Sequence, residues 1–200
     1  YYGVYKNSQG YTQILGIIDL ATNALTLIAL KHRTAAATAH TILYEIVVRK
    51  GCPKLIHSDA AQEFISKAMK SLTSIIGCAQ TTTKGHNPQA NSTIERVWAF
   101  VGTSLRQMTK EQYENFHLYM PIIASVWNSL PNSTTGISPF ELEHGMKPRT
   151  ISDSMVEEPQ TEGTPATADD LASIATSAKA FQRIAVQATA LNKVLMAQKL

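Results

Sequence analysis

Asp59 and Glu95 are the two carboxylates whose setting could carry chemistry, and 35 residues separate them. Asp59 closes the stretch Ile56-His57-Ser58-Asp59, where a short strand would end. A carboxylate at the C-terminal end of a strand stands at the sheet edge where ligands of α/β folds collect. Glu95 lies about one turn into a helical stretch, in Asn91-Ser92-Thr93-Ile94-Glu95-Arg96. Two hard oxygen donors on rigid elements beside a flexible loop suit Mg2+ or Mn2+. A pair of such ions clamps the attacking and leaving oxygens of a phosphodiester displacement. Two acids in a chain of 200 residues are equally compatible with solvated side chains, so the spacing alone leaves both readings open.

The elements that must position them are readable from periodicity. Tyr11 to Leu20 and Ala24 to Lys31 are short apolar runs separated by turn formers, which predicts successive antiparallel strands. Thr34 caps an alanine-rich helix through Arg49, stopped by Gly51. Lys54 to His57 reads as a strand and Ala61 to Ile76 as one helix; Cys78 to Thr83 reads as a further strand. Lys84 to Ala90 combines glycine, asparagine and proline and reads as an irregular loop, with Asn91 or Ser92 capping a helix to about Thr109. One helix over Glu111 to Ser129 follows, then a turn-rich connection and a short helix opened by Ser138 and Pro139. The order β-β-α-β-α-β followed by helices predicts an α/β fold with a mixed sheet and flanking helices. Residues 151–168 read as an acidic linker. Residues 169–200 read as an amphipathic helix, with Phe181 and Leu195 its largest contacts to its own core or to a second subunit.

Composition narrows the classes. Apolar residues make up 44% of the chain and charged ones 16%, which excludes whole-chain disorder. No apolar run approaches the ~18 residues of a membrane span. Two cysteines, Cys52 and Cys78, exclude a disulfide scaffold and an all-cysteine zinc site, and His57 and His86 have no Cys/His pair at zinc spacing. Residues 1–150 carry 14 Lys/Arg against 9 Asp/Glu, a mildly basic body compatible with a nucleic-acid partner. The start at Tyr1, with no secretion signal, reads as a fragment.

Three motifs in order, IHSDAAQEF, KGHNPQANSTIERVWAFVGTSLRQ and SPFELEHGMKPR, resemble the integrase catalytic core of retroviruses and long-terminal-repeat retrotransposons. The resemblance covers about residues 1–150, and the Ser138 to Pro148 run is similar to that of the gypsy-type branch. It implies a ribonuclease-H-like fold and a D,D-35-E polynucleotidyl transferase, in which Asp59 matches the second aspartate and Glu95 the glutamate. By the same register Tyr1-Tyr2-Gly3 resembles the residues after the first aspartate, which would then precede Tyr1. Asp19 is near that place but resembles a non-ligand aspartate at the end of the second strand, and capping the Thr22-Asn23 turn suits it better.

The resemblance further implies DNA as partner, element ends and target alike, and a homo-oligomer without membrane or small-molecule substrate. It implies metal-dependent 3′-end processing and strand transfer in a nucleus or cytoplasmic particle. Lys84, His86, Asn87, Gln89, Asn91 and Arg96 would supply donors to DNA, with Arg106 and Lys110 further along the same side. Trp98 and Phe100 read as packing residues rather than base-stacking platforms. Lacking one carboxylate, the chain as it stands would be inactive or nearly so. A non-catalytic DNA-binding or assembly module from a degraded or domesticated element, and a cut-and-paste transposase of the same fold, are the alternative readings.

Overall fold

Antiparallel strands come first in the computed structural model, which describes residues 1–3, 7, 9–82, 88–132 and 135–149 and, over 88–92, the backbone alone. β1 (Tyr2–Gly3) pairs with β2 (Gln13–Ile18), Tyr2 opposite Ile14 and Gly3 opposite Gln13. β3 (Leu25–Leu30) flanks β2 on its other side. β4 (Leu55–Ser58) and β5 (Ala79–Thr82) form a parallel pair, ending with Ser58 opposite Thr82. The predicted single mixed sheet is therefore two hydrogen-bonded sheets among the described residues.

The helices follow the predicted order with four differences. α1 (Ala35–Ile42) is capped by the Thr34 hydroxyl as expected, but residues Leu43–Val48 continue it as a wider π-helical stretch. The single helix expected over 61–76 is two, α2 (Gln62–Ile65) and α3 (Lys67–Ile75), divided at Ser66. The Ser66 hydroxyl donates to the Glu63 carbonyl and accepts from the Met69 amide, so it closes one helix and caps the next. α4 (Pro88–Arg106) begins three residues before the expected Asn91 cap. A proline at the first helical position lacks only an amide hydrogen that has no intrahelical partner there. The helix expected over 111–129 is α5 (Lys110–Glu114) and α6 (Phe116–Ser129), separated by Asn115 at φ −111° and ψ 22°. Thr109 and Gln112 form a reciprocal capping box that commits α5 to its own start. α7 (Pro139–His144) opens on Ser138 and Pro139 as expected and ends at left-handed Gly145. No helix among the described residues is long and apolar enough to cross a membrane. The expected linker and terminal helix over 151–200 lie outside the described residues.

Two compact units divide the chain, Tyr1–Gly16 with Thr26–Leu118, and Ile17–Leu25 with Tyr119–Leu200. In the second, the tip of the β2–β3 hairpin is held by side chains of α6. Leu25 donates its amide to Asn128 Oδ1 at 2.7 Å and accepts from Asn128 Nδ2 at 2.9 Å, while Trp127 Nε1 donates to the Asn23 carbonyl at 3.0 Å. Asp19, exposed, caps this turn by accepting from the amides of Ala21 and Thr22.

In the first unit, Ile14, Leu15, Leu27, Met69, Val97 and Val101 are buried. α4 approaches β2 closely at one point. A Cβ on Gly16 would lie 2.8 Å from Trp98 Cη2, so the indole rests on bare backbone. Trp98 also stacks on Tyr2, centroids 5.6 Å apart, and Phe100 is buried, so both aromatics pack as expected. Gly16→Ala should lower stability by about 1–3 kcal/mol, since the indole is wedged and cannot retreat. Combining it with Trp98→Leu should cost less than the two single changes added together. Thermal melts of the four variants in the cycle read this, and strict additivity would show that the contact is not what limits position 16.

Candidate active site

Asp59 leaves the C-terminal end of β4, and the chain after β5 leaves the same edge of the parallel pair, because Ser58 and Thr82 are paired. Asp59 thus stands at the carboxyl end of a strand, the position expected of it. Asp59 is exposed and its Oδ1 accepts the Ala61 amide at 3.2 Å, a local bond that orients the carboxylate before α2 begins. Beside it, His57 Nδ1 bonds Thr81 Oγ1 at 2.9 Å across the strands. Glu95 is exposed on α4, three residues before Trp98.

Tyr1 and Tyr2 connect these two elements. Successive side chains of a strand point to opposite faces. Tyr2 faces α4, where its ring lies on Trp98. Tyr1 faces α1 and α2: its hydroxyl bonds Thr38 Oγ1 and its ring lies 5.7 Å from that of Phe64. The β1–β2 register, continued by two residues, sets the position before Tyr1 opposite Gly16. Positions paired across an antiparallel ladder share a face, and this one is the face of Tyr2 and Trp98.

Arg33 and Glu63 brace the opposite face. Arg33 Nε is ion-paired with Glu63 Oε1, and its guanidinium lies 4.8 Å from the Tyr1 ring centroid. Glu63 is buried. Burial alone would raise its carboxyl, but a backbone hydrogen bond and the Arg33 guanidinium outweigh it and hold the group below the ordinary value of 4.5.

Among the described residues no group of three or more His, Cys, Asp or Glu stands together as a metal cage. The donor set fits a hard cation in kind, two exposed carboxylates on ordered elements, and falls short in number. Of the expected DNA-contacting residues, Lys84, His86 and Asn87 lie outside the described residues. Gln89, expected in the loop, and Asn91, expected at the helix cap, both belong to the first turns of α4. Arg96 is exposed on the same helix and donates to Thr93 Oγ1 at 3.3 Å; Arg106 likewise donates to Thr103 Oγ1 at 3.0 Å. The motifs mark Tyr1 and Tyr2 only by their place in the chain and do not mark Gly16 or Arg33; the packing roles of all four exist only through contacts distant in sequence.

Comparison with known proteins bears on the fold and on what the chain resembles. A family model described as the integrase core domain matches residues 1–88. The Gag-Pol polyprotein of feline leukemia virus is 28% identical over 140 residues, 70% of this chain and 8% of that polyprotein. The Pol polyprotein of feline endogenous virus ECE1 is 26% identical over 140 residues, 70% of this chain and 13% of the relative. The Gag-Pol polyprotein of koala retrovirus is 24% identical over 148 residues, 74% of this chain and 9% of the relative. The chain thus spans a small part of the viral polyproteins it resembles. Among solved structures, a simian T-cell lymphotropic virus intasome in complex with PP2A regulatory subunit B56 gamma shares the fold. The match has a TM-score of 0.55 and 16% identity, and covers 82% of this chain and 56% of that one. The fold is the expected ribonuclease-H-like α/β type.

The Arg33–Glu63 pair generates a pH signature. A carboxyl held below its unfolded value contributes stability that is full above pH 4.5 and is lost as pH falls through the lower folded-state value. Glu63→Gln should lower stability at pH 7 by about 1 kcal/mol. The gap between variant and parent should close as denaturation is followed down from pH 4.5. A gap constant from neutral to acidic pH would mean that the charge of Glu63 contributes nothing.

Proposed function

Since the family model, the viral relatives and the shared fold support a retroviral-type integrase catalytic core, we propose that this chain belongs to a polynucleotidyl transferase acting in DNA integration, with Asp59 and Glu95 as two of its catalytic carboxylates. The observation that supports the reading is Asp59 at the carboxyl end of β4 and Glu95 on α4 in a chain whose residues 1–88 match the integrase core domain, with the register of β1 continuing to the position before Tyr1. An aspartate there would join Asp59 and Glu95 into a three-carboxylate cluster. The Ser138 to Pro148 run favours a long-terminal-repeat retrotransposon as the parent element.

Asp59 and Glu95 would hold Mg2+ or Mn2+, which neutralises charge on the phosphate under attack and lowers the pKa of the attacking water or hydroxyl. The chain's own share is positioning. The Ala61 amide fixes the Asp59 carboxylate, and the Trp98–Gly16 contact fixes α4 and with it Glu95. Lys84, His86, Asn87, Gln89, Asn91 and Arg96 would hold the DNA strand by its phosphates and base edges, so that the scissile bond lies in line with the nucleophile. Water would serve as nucleophile in 3′-end processing, and the freed 3′-hydroxyl in strand transfer. The working form would be a homo-oligomer, in a nucleus or cytoplasmic particle. With two carboxylates in place, the 200-residue chain by itself would bind metal weakly and turn over little.

The experiment extends the chain at its N-terminus by an aspartate-bearing strand and assays Mg2+- or Mn2+-dependent nicking and strand transfer on short DNA. The extended chain should be active. Asp59→Asn and Glu95→Gln should each lower the rate by about 100-fold or more, a loss of the size seen when one transition-state contact is removed, with far smaller changes in DNA affinity. Near-full activity of Glu95→Gln with Mg2+ would remove Glu95 from the site.

A further inference from the structure

A second, cationic cleft opens on the first unit, separate from the two carboxylates. It has a volume of about 410 Å³ and is lined by Gly10, Thr12, Lys31, His32, Arg33 and Thr34, with no acid among them. That volume lies within the range of small-ligand clefts. Lys31-His32-Arg33 connects the end of β3 to the Thr34 cap of α1, and all three side chains are exposed.

What distinguishes these cations from ordinary surface charges is that their carriers are held in place. Lys31 Nζ lies 5.2 Å from the Tyr11 ring centroid, and that ring is stacked on His117 at 4.4 Å with the planes 8° apart. Thr12 bonds the backbone on both sides of the turn into this segment, its amide donating to the Leu30 carbonyl and its hydroxyl to the Lys31 carbonyl, each at 3.0 Å. The Arg33 guanidinium is fixed by Glu63 through Nε and by the Tyr1 ring, and Arg33 lines the cleft. A long cation that is already ordered loses less rotamer freedom when it binds an anion, so more of the Coulombic gain survives as affinity. Fork-shaped Arg and point-charge Lys together match the tetrahedral oxygens of a phosphate.

We propose that this cleft binds a phosphate group, either a phosphodiester of a DNA strand or a free phosphate compound, through Lys31, His32 and Arg33. The site goes beyond the proposed reaction and uses neither Asp59 nor Glu95. It stands or falls separately, because phosphate occupancy is read without nicking.

The test is a titration of the isotopically labelled 200-residue chain, followed by amide chemical shifts, with inorganic phosphate in one arm and a short DNA duplex in the other. Both arms should move the amides of Gly10, Thr12 and residues 31–34. Movement with the duplex assigns the cleft to strand phosphates, and movement with inorganic phosphate alone assigns it to a free phosphate compound. Lys31→Gln should weaken duplex binding about three- to tenfold and lower the salt slope of log K by about one, as loss of one phosphate contact does. Lys31→Gln/His32→Gln should remove the shifts while leaving the melting temperature near that of the parent. Shifts in neither arm, or shifts undiminished in the double variant, would overturn the proposal.

Discussion

The absence of a side chain at Gly16 is the constraint on which the site geometry rests. Trp98 occupies the space that a Cβ would take, and Tyr2 stacks on its ring. Three positions far apart in sequence therefore determine how closely α4 approaches the antiparallel sheet. A second small residue extends the contact along the helix, since a Cβ on Gly102 would lie 3.0 Å from the Tyr2 hydroxyl. Interiors are close-packed, so this geometry has little slack. Glu95, one turn before Trp98, takes its place from it: the exposed acid rides on a helix held by the packing of the indole.

The two faces of β1 divide the work. Tyr2 packs toward α4, and Tyr1 toward α1 and α2, where Thr38, Phe64, Arg33 and Glu63 receive it. Glu63 is the buried acid of this face, and it is met by a guanidinium rather than left alone, as desolvation requires. The same guanidinium reaches the edge of the cationic cleft, so one arginine serves both the packing under Tyr1 and the charge that faces solvent. Asp59 is oriented by the next turn of its own chain through the Ala61 amide, and its carboxylate is exposed.

Helix punctuation explains where the sequence pattern and the structure part. Apolar periodicity runs through Ser66 and through Asn115 without a break, because a short turn between two helices need not disturb the face they present. What divides them is hydrogen bonding by single side chains: the Ser66 hydroxyl, and the reciprocal bonds of Thr109 and Gln112 that start α5 as a unit of its own. Pro88 moves the start of α4 the other way, into a segment whose glycine and asparagine read as loop. Gln89 and Asn91 consequently ride on a helix, which makes the spacing between them and Glu95 a fixed one.

From the sequence alone came the order of strands and helices, the caps at Thr34 and Ser138, the strand-end position of Asp59, the helical position of Glu95 and the turn-capping part of Asp19. Each depends on residues within a few positions of one another, or on a motif that can be read as text. The split of the strands into two sheets, the seat of Trp98 on Gly16, the Arg33–Glu63 pair beside Tyr1 and the ordering of Lys31 over Tyr11 were decided by the tertiary structure. Those contacts join positions tens of residues apart, and no local pattern encodes which glycine will lie beneath which indole. Periodicity specifies the face an element buries; the partner on that face is selected by shape and charge only when the elements meet.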